Sequence, residues 1–374
     1  MFEGILYISY GVLVIVAILM IRQLAYAMKH FTPPAYNSKL GKEVDMPSVT
    51  VCIPARNEMH ALTECLERVI ASDYDKLEII VLDDASGDNT SSLIKSFAKD
   101  GVRFVEGKAL PVGWLGRNHA LQGLLREASG SYILFMDVDT RIAPNAVSNI
   151  VRYALSQSAG MVSVLPRRED SLRASVLFSP LRFFWEVMFH SKASPATVGN
   201  AWLINRELLL SRFNGFEALK STVQPESQLS ASLATANQYR FLMSTAAFGV
   251  AYEKKWRSQL ITSTRLLFPL LEKKLPMAFI AILDLFIMLI PAIVIISLFY
   301  VDLTIVHIVG IAIAVVYAFI YGWYLRRVWN MGSFFGALLW PVLLLQEIIL
   351  IIASVSQYKR RTVRWKGRDV LSRR

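Results

Sequence analysis

Three short acidic clusters in this sequence each follow a run of apolar residues. Ala55-Arg56-Asn57-Glu58 follows SVTVCIP, Asp83-Asp84-Ala85-Ser86-Gly87-Asp88 follows LEIIVL, and Asp137-Val138-Asp139 follows YILFM. Carboxylates brought together raise one another's proton affinity unless a cation or hydrogen-bond donors join them. Hard oxygen ligands of this kind suit Mg2+ or Mn2+, and a diphosphate is the natural partner of such a metal. Asp137 and Asp139 stand two apart, and on an extended strand such residues point to the same side, so both can address one ligand. A D-x-D alone is as easily a turn, and an acidic strand end as easily a solvated one. The recurrence at three strand ends, in order, is what points to a site.

The elements that position these clusters alternate between strand and helix. The pattern predicts strands over Val49–Pro54, Leu77–Leu82, Val102–Val105 and Tyr132–Met136. Helices are expected over Ala61–Ala71, Thr90–Lys99 and Arg117–Ala128, the second begun by Ser86, Gly87, Asp88 and Asn89 and the third stopped by Gly130. Strands apolar on both faces and alternating with helices imply a parallel sheet covered on both sides, a three-layer α/β domain. In such open sheets ligands bind beyond the carboxyl ends of the strands, where the three acidic clusters fall.

Hydrophobic residues make up 54% of the 374 residues and charged residues 18%, with a mean hydropathy of +0.41. The apolar excess concentrates at residues 5–21 and 276–357, so the middle of the chain reads as an ordinary soluble domain. The first run, Ile5 to Met20, lacks a basic leader and a small-residue cleavage site and reads as an uncleaved anchor. A polar linker with Pro33, Pro34 and Gly41 follows it. Three further runs, Pro276–Tyr300, Ile305–Leu325 and Phe334–Ser356, are each long enough to cross a bilayer. The expected organisation is an anchor at 1–28, a catalytic domain at 47–265, membrane helices at 276–357 and a basic tail at 358–374.

The net charge of +11 argues less for nucleic acid than for a membrane surface, because the basic residues flank the apolar runs. Arg22, Lys29 and His30 follow the first, Lys273 and Lys274 precede the second, and Lys359, Arg360 and Arg361 follow the last. Basic flanks mark the cytosolic side of a cell-membrane protein. Three full crossings would then carry the tail outside, against that tendency, and Pro341 early in the third run suits a segment that is re-entrant or interfacial. Leu172–Phe189, dense in Phe183, Phe184 and Trp185, reads either as a core helix or as one lying in the lipid interface. Cys52 and Cys65 form no disulfide framework and no zinc-binding spacing.

The motifs PSVTVCIPARNE, EIIVLDDASGDNT and YILFMDVDT together resemble the successive signatures of family 2 glycosyltransferases of the GT-A fold. ALPVGWLGRNHAL is similar to the P-x-GW-x-GK-x-x-AL element of the branch that glycosylates membrane lipids. That branch includes ceramide glucosyltransferases and hopanoid- and carotenoid-associated enzymes. The closing VRWKGRDV resembles its tail. The resemblance implies a UDP-sugar donor, a lipid acceptor and an inverting, metal-dependent transfer. By position, Pro54, Ala55, Arg56 and Glu58 would line the uridine and ribose, and Asp83 or Asp84 would bind the uracil. Asp139 would ligate Mg2+ or Mn2+, and Asp137 would face the ribose or the metal's water shell. Arg117 stands where the branch has Lys and would clamp the diphosphate as a bidentate donor. His119 beside it reads as a helix-surface histidine.

The family's third acidic motif, Glu-Asp with an aliphatic residue following, is matched by Val223-Gln224-Pro225-Glu226-Ser227-Gln228-Leu229. The general base thus falls on Glu226, one methylene longer than Asp and preceded by Pro. An acid in the first turn after Pro225 also suits a helix start, and the two roles are compatible. The Q-x-x-R-W element is absent, with Glu253-Lys254-Lys255-Trp256 only a loose counterpart. Its absence and the few spans argue against a processive polysaccharide synthase, while the altered base leaves room for a non-catalytic nucleotide-sugar-binding protein.

Overall fold

In a computed structural model, which describes residues 2–34, 45–169, 174–329, 333–366 and 368–369, the chain divides into two compact units. One comprises Met1–His30, Asp170–Phe189 and Lys254–Val363; the other comprises Phe31–Glu169, His190–Glu253 and Arg364–Arg374. Gly41 of the linker, Leu172, Arg173 and Gly367 lie outside the described residues.

The first unit is helical. It holds α1 (Phe2–His30), while the second unit opens with β1 (Val49–Ala55), α2 (Met59–Ile70), β2 (Leu77–Asp83), α3 (Thr90–Ser96) and β3 (Val102–Glu106). The second unit continues through α4 (Gly116–Glu127), β4 (Tyr132–Met136), β5 (Thr140–Ile142), α5 (Ala146–Ser156), β6 (Met161–Leu165) and β7 (Arg167–Arg168). The chain passes back to the helical unit for α6 (Ala174–Leu177) and α7 (Arg182–Met188). It returns for β8 (Ala201–Asn205), α8 (Arg206–Phe213), α9 (Pro225–Thr235), β9 (Tyr239–Met243) and β10 (Val250–Tyr252). The helical unit is completed by α10 (Trp256–Leu270), α11 (Leu275–Ser297), α12 (Ile305–Val328), α13 (Ser333–Leu338) and α14 (Trp340–Lys359). A hairpin of β11 (Arg364–Trp365) and β12 (Arg368–Asp369) belongs to the second unit.

The α/β unit is built on a seven-stranded sheet of order β3-β2-β1-β4-β8-β6-β9. The four strands expected from the sequence, β3, β2, β1 and β4, are mutually parallel. β8 runs antiparallel to both β4 and β6, so the whole sheet is mixed. β1 is buried along both faces because its neighbours cover it on either side, which is why VTVCIPA shows no polar alternation. Leu62, Cys65, Leu66 and Val69 recur at helical spacing on α2 and form its buried stripe. A three-stranded sheet, β5-β10-β7, lies beyond the Asp137-Asp139 segment.

Among the described residues of the helical unit, four helices are long and apolar enough to cross a membrane: Gly4–His30, Leu275–Ser297, Ile305–Val328 and Trp340–Lys359. Tyr317 of α12 donates to the Leu13 carbonyl of α1 at 2.9 Å. The stretch expected as one helix over 172–189 is instead two short ones. On α7 Phe184 is buried in ring contact with Tyr321, Tyr324 and Trp340, whereas Phe189 is exposed.

Candidate active site

At the carboxyl ends of β1 and β2 two loops are laced together. The Asn57 backbone N–H donates to Ser86 Oγ at 2.9 Å, and the Gly87 N–H to Asn57 Oδ1 at 2.8 Å. The Glu58 N–H reaches Thr90 Oγ1 at 3.0 Å. Asp83 is buried and accepts from the hydroxyls of Ser86 and Ser91, so its carboxylate shapes its own loop. Asp84 is equally buried, and its N–H donates to the Ala55 carbonyl at 2.8 Å. Arg56 donates through its guanidinium to the carbonyls of Asp84 and Ala85, tying the first loop to the second. Pro54 and Ala55 complete β1, with Ala55 buried beneath the loop.

The second half of the site is assembled on α4. Arg117, in the helix's first turn, donates through Nη1 to Glu226 Oε2 at 2.8 Å and through Nη2 to the Gly199 carbonyl at 3.1 Å. Its Nη2 also stands 3.7 Å from Asp137 Oδ1. Only 14% of the Arg117 side chain and 5% of that of Glu226 is exposed. Burial works against the Arg117 charge, but Glu226 and Asp137 outweigh it and hold the guanidinium above its ordinary value. One residue on, Asn118 donates to the carbonyls of Leu219 and Thr222, both at 2.7 Å, fixing the loop that leads into α9. Pro225 opens α9, and Glu226 follows it in the first turn, as the sequence predicts.

The segment before β8 is pinned from several sides. Ser163 Oγ donates to the Val198 carbonyl at 2.9 Å, Thr197 Oγ1 meets Ser230 Oγ of α9 at 2.6 Å, and Tyr239 donates to the Ala196 carbonyl at 2.5 Å. The Asn200 carbonyl accepts from both Asp137 N–H and Thr140 Oγ1 at 2.9 Å. This leaves no room at Gly199: a side-chain carbon there would overlap the Glu226 carboxylate and press on the Arg117 guanidinium. Gly199 and Asn200 were not singled out in the sequence. A glycine beside a strand start carries no chemical signal of its own.

Asp137 and Asp139 follow β4, both half-buried with Val138 buried between them. Among the described residues no group of three or more His, Cys, Asp or Glu side chains stands together as a complete metal cage. Two carboxylates fit instead a Mg2+ or Mn2+ that draws its other ligands from a diphosphate and water, the habit of these hard, hydrated cations. His119 packs edge-to-face on Trp114, their rings 5.6 Å apart.

Part of the chain is similar to known proteins. The family described as Glycosyl transferase family 2 matches residues 50–210. An N-acetylglucosaminyltransferase of Bradyrhizobium sp. (strain ANU 289) is 32% identical over 133 residues, which is 34% of this chain and 84% of that protein. The chain belongs to glycosyltransferase family 2. A 4,4'-diaponeurosporenoate glycosyltransferase of Staphylococcus aureus is 32% identical over 124 residues, covering 32% of each chain. The matched part spans only between 26% and 40% of other curated relatives. A mannosyltransferase of Pyrobaculum calidifontis, solved with GDP-Man and Mn2+, superimposes over 96% of this chain and 98% of its own with a TM-score of 0.60 at 20% identity. That likeness is one of fold, the GT-A fold.

Proposed function

We propose that the protein transfers a sugar from a UDP-sugar to the hydroxyl or carboxyl of a membrane lipid, with inversion and with the help of a divalent metal. The observation that carries this reading is the buried contact of Arg117 with both Glu226 and Asp137. It joins the residue at the family's base position to the acidic pair that follows β4. The lipid acceptor is supported by the apolar helices and by the name of the Staphylococcus relative.

In this mechanism Arg56, Glu58 and the loops of β1 and β2 hold the nucleoside, with Pro54 and Ala55 as its floor. Asp84 reads the base, because Asp83 is spent on its loop. Asp139, helped by Asp137, would hold the metal, whose positive charge when bound stabilises a diphosphate leaving group. The acceptor oxygen attacks the anomeric carbon while Glu226 takes its proton. The new C–O bond forms opposite the leaving group, and the electron pair of the broken C–O bond departs on the nucleoside diphosphate. Arg117 is drawn toward that diphosphate, which relaxes its hold on Glu226 and restores the carboxylate as a base.

The catalytic unit faces the cytosol in this reading, in keeping with the basic flanks. Residues on either side of α10–α14 belong to one compact unit, and Lys366 pairs with Glu58. An even number of bilayer crossings must therefore separate Glu253 from Arg364. We assign α11 and α12 as the crossing pair, with α14 entering the bilayer without completing a passage. That assignment keeps Lys359, Arg360 and Arg361 inside. A cysteine placed at Phe299 should be labelled by an impermeant thiol reagent on intact cells, and one at Thr362 only after permeabilisation. Native Cys52 and Cys65 will not interfere, since both are buried and burial pushes the Cys65 thiol up to about 12. Labelling at Thr362 on intact cells would overturn the assignment.

Incubating membranes that contain the protein with a panel of labelled nucleotide sugars and lipid extract tests the activity. A lipid-linked monosaccharide supports the proposal. A polymer supports a processive synthase, and no product at all supports a binding protein whose base is locked by Arg117.

A further inference from the structure

Lys366, directly after β11, packs onto the donor loops. Lys366 Nζ forms an ion pair with Glu58, and the Lys366 carbonyl accepts from Arg56 Nε at 3.1 Å. The same Arg56 ties Asp84 and Ala85, so one guanidinium binds the tail to the ends of both β1 and β2. Lys366 adopts a φ of 47°, a left-handed conformation that a lysine holds only when its surroundings fix it. Neither partner is sealed off: 23% of the Lys366 side chain and 22% of that of Glu58 is exposed. Glu58 follows β1 and Asp139 follows β4, and these two strands are parallel neighbours, so the clasped carboxylate lies at the edge of the sheet that carries the metal-binding candidates.

A clasp that served only to tether the tail would work at any edge of the domain. This one delivers an ammonium, with three hydrogen-bond donors, to the carboxyl ends of β1 and β2, where open sheets of this kind bind their ligands. We propose that Lys366 is a donor-site residue, which exchanges its partial hold on Glu58 for the phosphates of a nucleoside diphosphate and so sets donor affinity. The inference rests on the donor reading given above. With about a fifth of each side chain exposed, this ion pair costs less to open than the deeply buried pair of Arg117 and Glu226.

The test measures binding of UDP, GDP and the bare nucleosides uridine and guanosine to the full-length protein in detergent, with donor KM and kcat beside them. Lys366→Ala should weaken the preferred diphosphate and raise the donor KM about tenfold, the scale of one lost charged contact of roughly 1.4 kcal/mol. Binding of the matching nucleoside and kcat at saturating donor should stay within about twofold. Undiminished diphosphate affinity in Lys366→Ala, or equal losses for nucleoside and diphosphate, would make the contact a structural clasp and overturn the proposal. Failure of the unaltered protein to bind either diphosphate would overturn the donor reading itself, and this inference with it.

Discussion

The two ends of the site are held by different means. At the donor end, the loops after β1 and β2 are joined by several hydrogen bonds, most of them to backbone groups, among residues that lie close in sequence to their strands. At the reaction end, one buried ion pair links Arg117 to Glu226 across 109 residues, with the Gly199 carbonyl as a third partner. The neutral members of the donor-end mesh are lost cheaply, since each is worth about 0.5–1.5 kcal/mol net. A buried ion pair does not, because removing one partner strands the other charge. The contrast predicts that changes at the donor end act on donor affinity, while changes at the reaction end act on turnover.

The sharpest way to break that contrast is at Glu226. If it accepts the acceptor's proton, Glu226→Gln should retain donor binding and lose about 10²–10⁴-fold in kcat, the usual worth of a general base. Glu226→Asp tests reach: the shorter carboxylate should retreat from the acceptor and lower kcat as well. A rise in activity with Asp would mean that this chain carries a compromised base. Unchanged turnover in the Gln variant would send the search for the base elsewhere.

Asp139→Asn comes next. The amide keeps the shape and loses the charge, so transfer should fall by about 10²–10³-fold and donor binding should cease to depend on Mg2+ or Mn2+. Titrating UDP with and without metal reads the second effect directly, and near-normal activity would remove this carboxylate from the mechanism. Gly199→Ala probes the packing behind the ion pair. The added methyl must push the Glu226 carboxylate and Arg117 aside. A displacement on the order of 1 Å costs up to ~10²-fold in turnover, and donor KM should hardly move.

The donor end was legible in the sequence because its residues sit directly after runs of β-branched and aliphatic residues such as Val49–Ile53 and Ile79–Leu82, whose burial no other element could provide. The reaction end was legible only in part. Glu226 announces itself through Pro225 and the helix that follows, but nothing in the sequence says that its charge is matched by Arg117. Nor does AWLIN reveal that β8 runs antiparallel, since a buried strand reads the same in either direction. The clasp at Lys366 joins residues 310 positions apart, a separation over which pattern carries no information.

The smallest expected effect lies at Glu78, near the amino end of β2 and at the edge of the sheet opposite the donor loops. Its Oε2 accepts from Thr50 Oγ1 at 2.6 Å and from the N–H and hydroxyl of Ser129, both at 2.9 Å, and Arg103 lies 3.7 Å from Oε1. It thereby fastens β1 and the turn before β4 to β2. Burial would raise this carboxyl, but the hydrogen bonds from Thr50 and Ser129 and the charge of Arg103 outweigh it and hold it below the usual glutamate range. A carboxyl depressed in the folded state stabilises the fold above its unfolded value of about 4.3, and that contribution disappears as pH falls through the lower folded value. Glu78→Gln can still accept through its carbonyl but carries no charge. It should therefore cost about 1 kcal/mol at pH 7, or about 2–4 °C in Tm for a domain of this size. The gap between the two proteins should close as pH falls through the depressed folded value, where native Glu78 takes up its proton and becomes as neutral as the amide. Melting curves of the full chain in detergent across that range check it. A gap that stays constant with pH would mean that shape, not charge, makes this link between the strands.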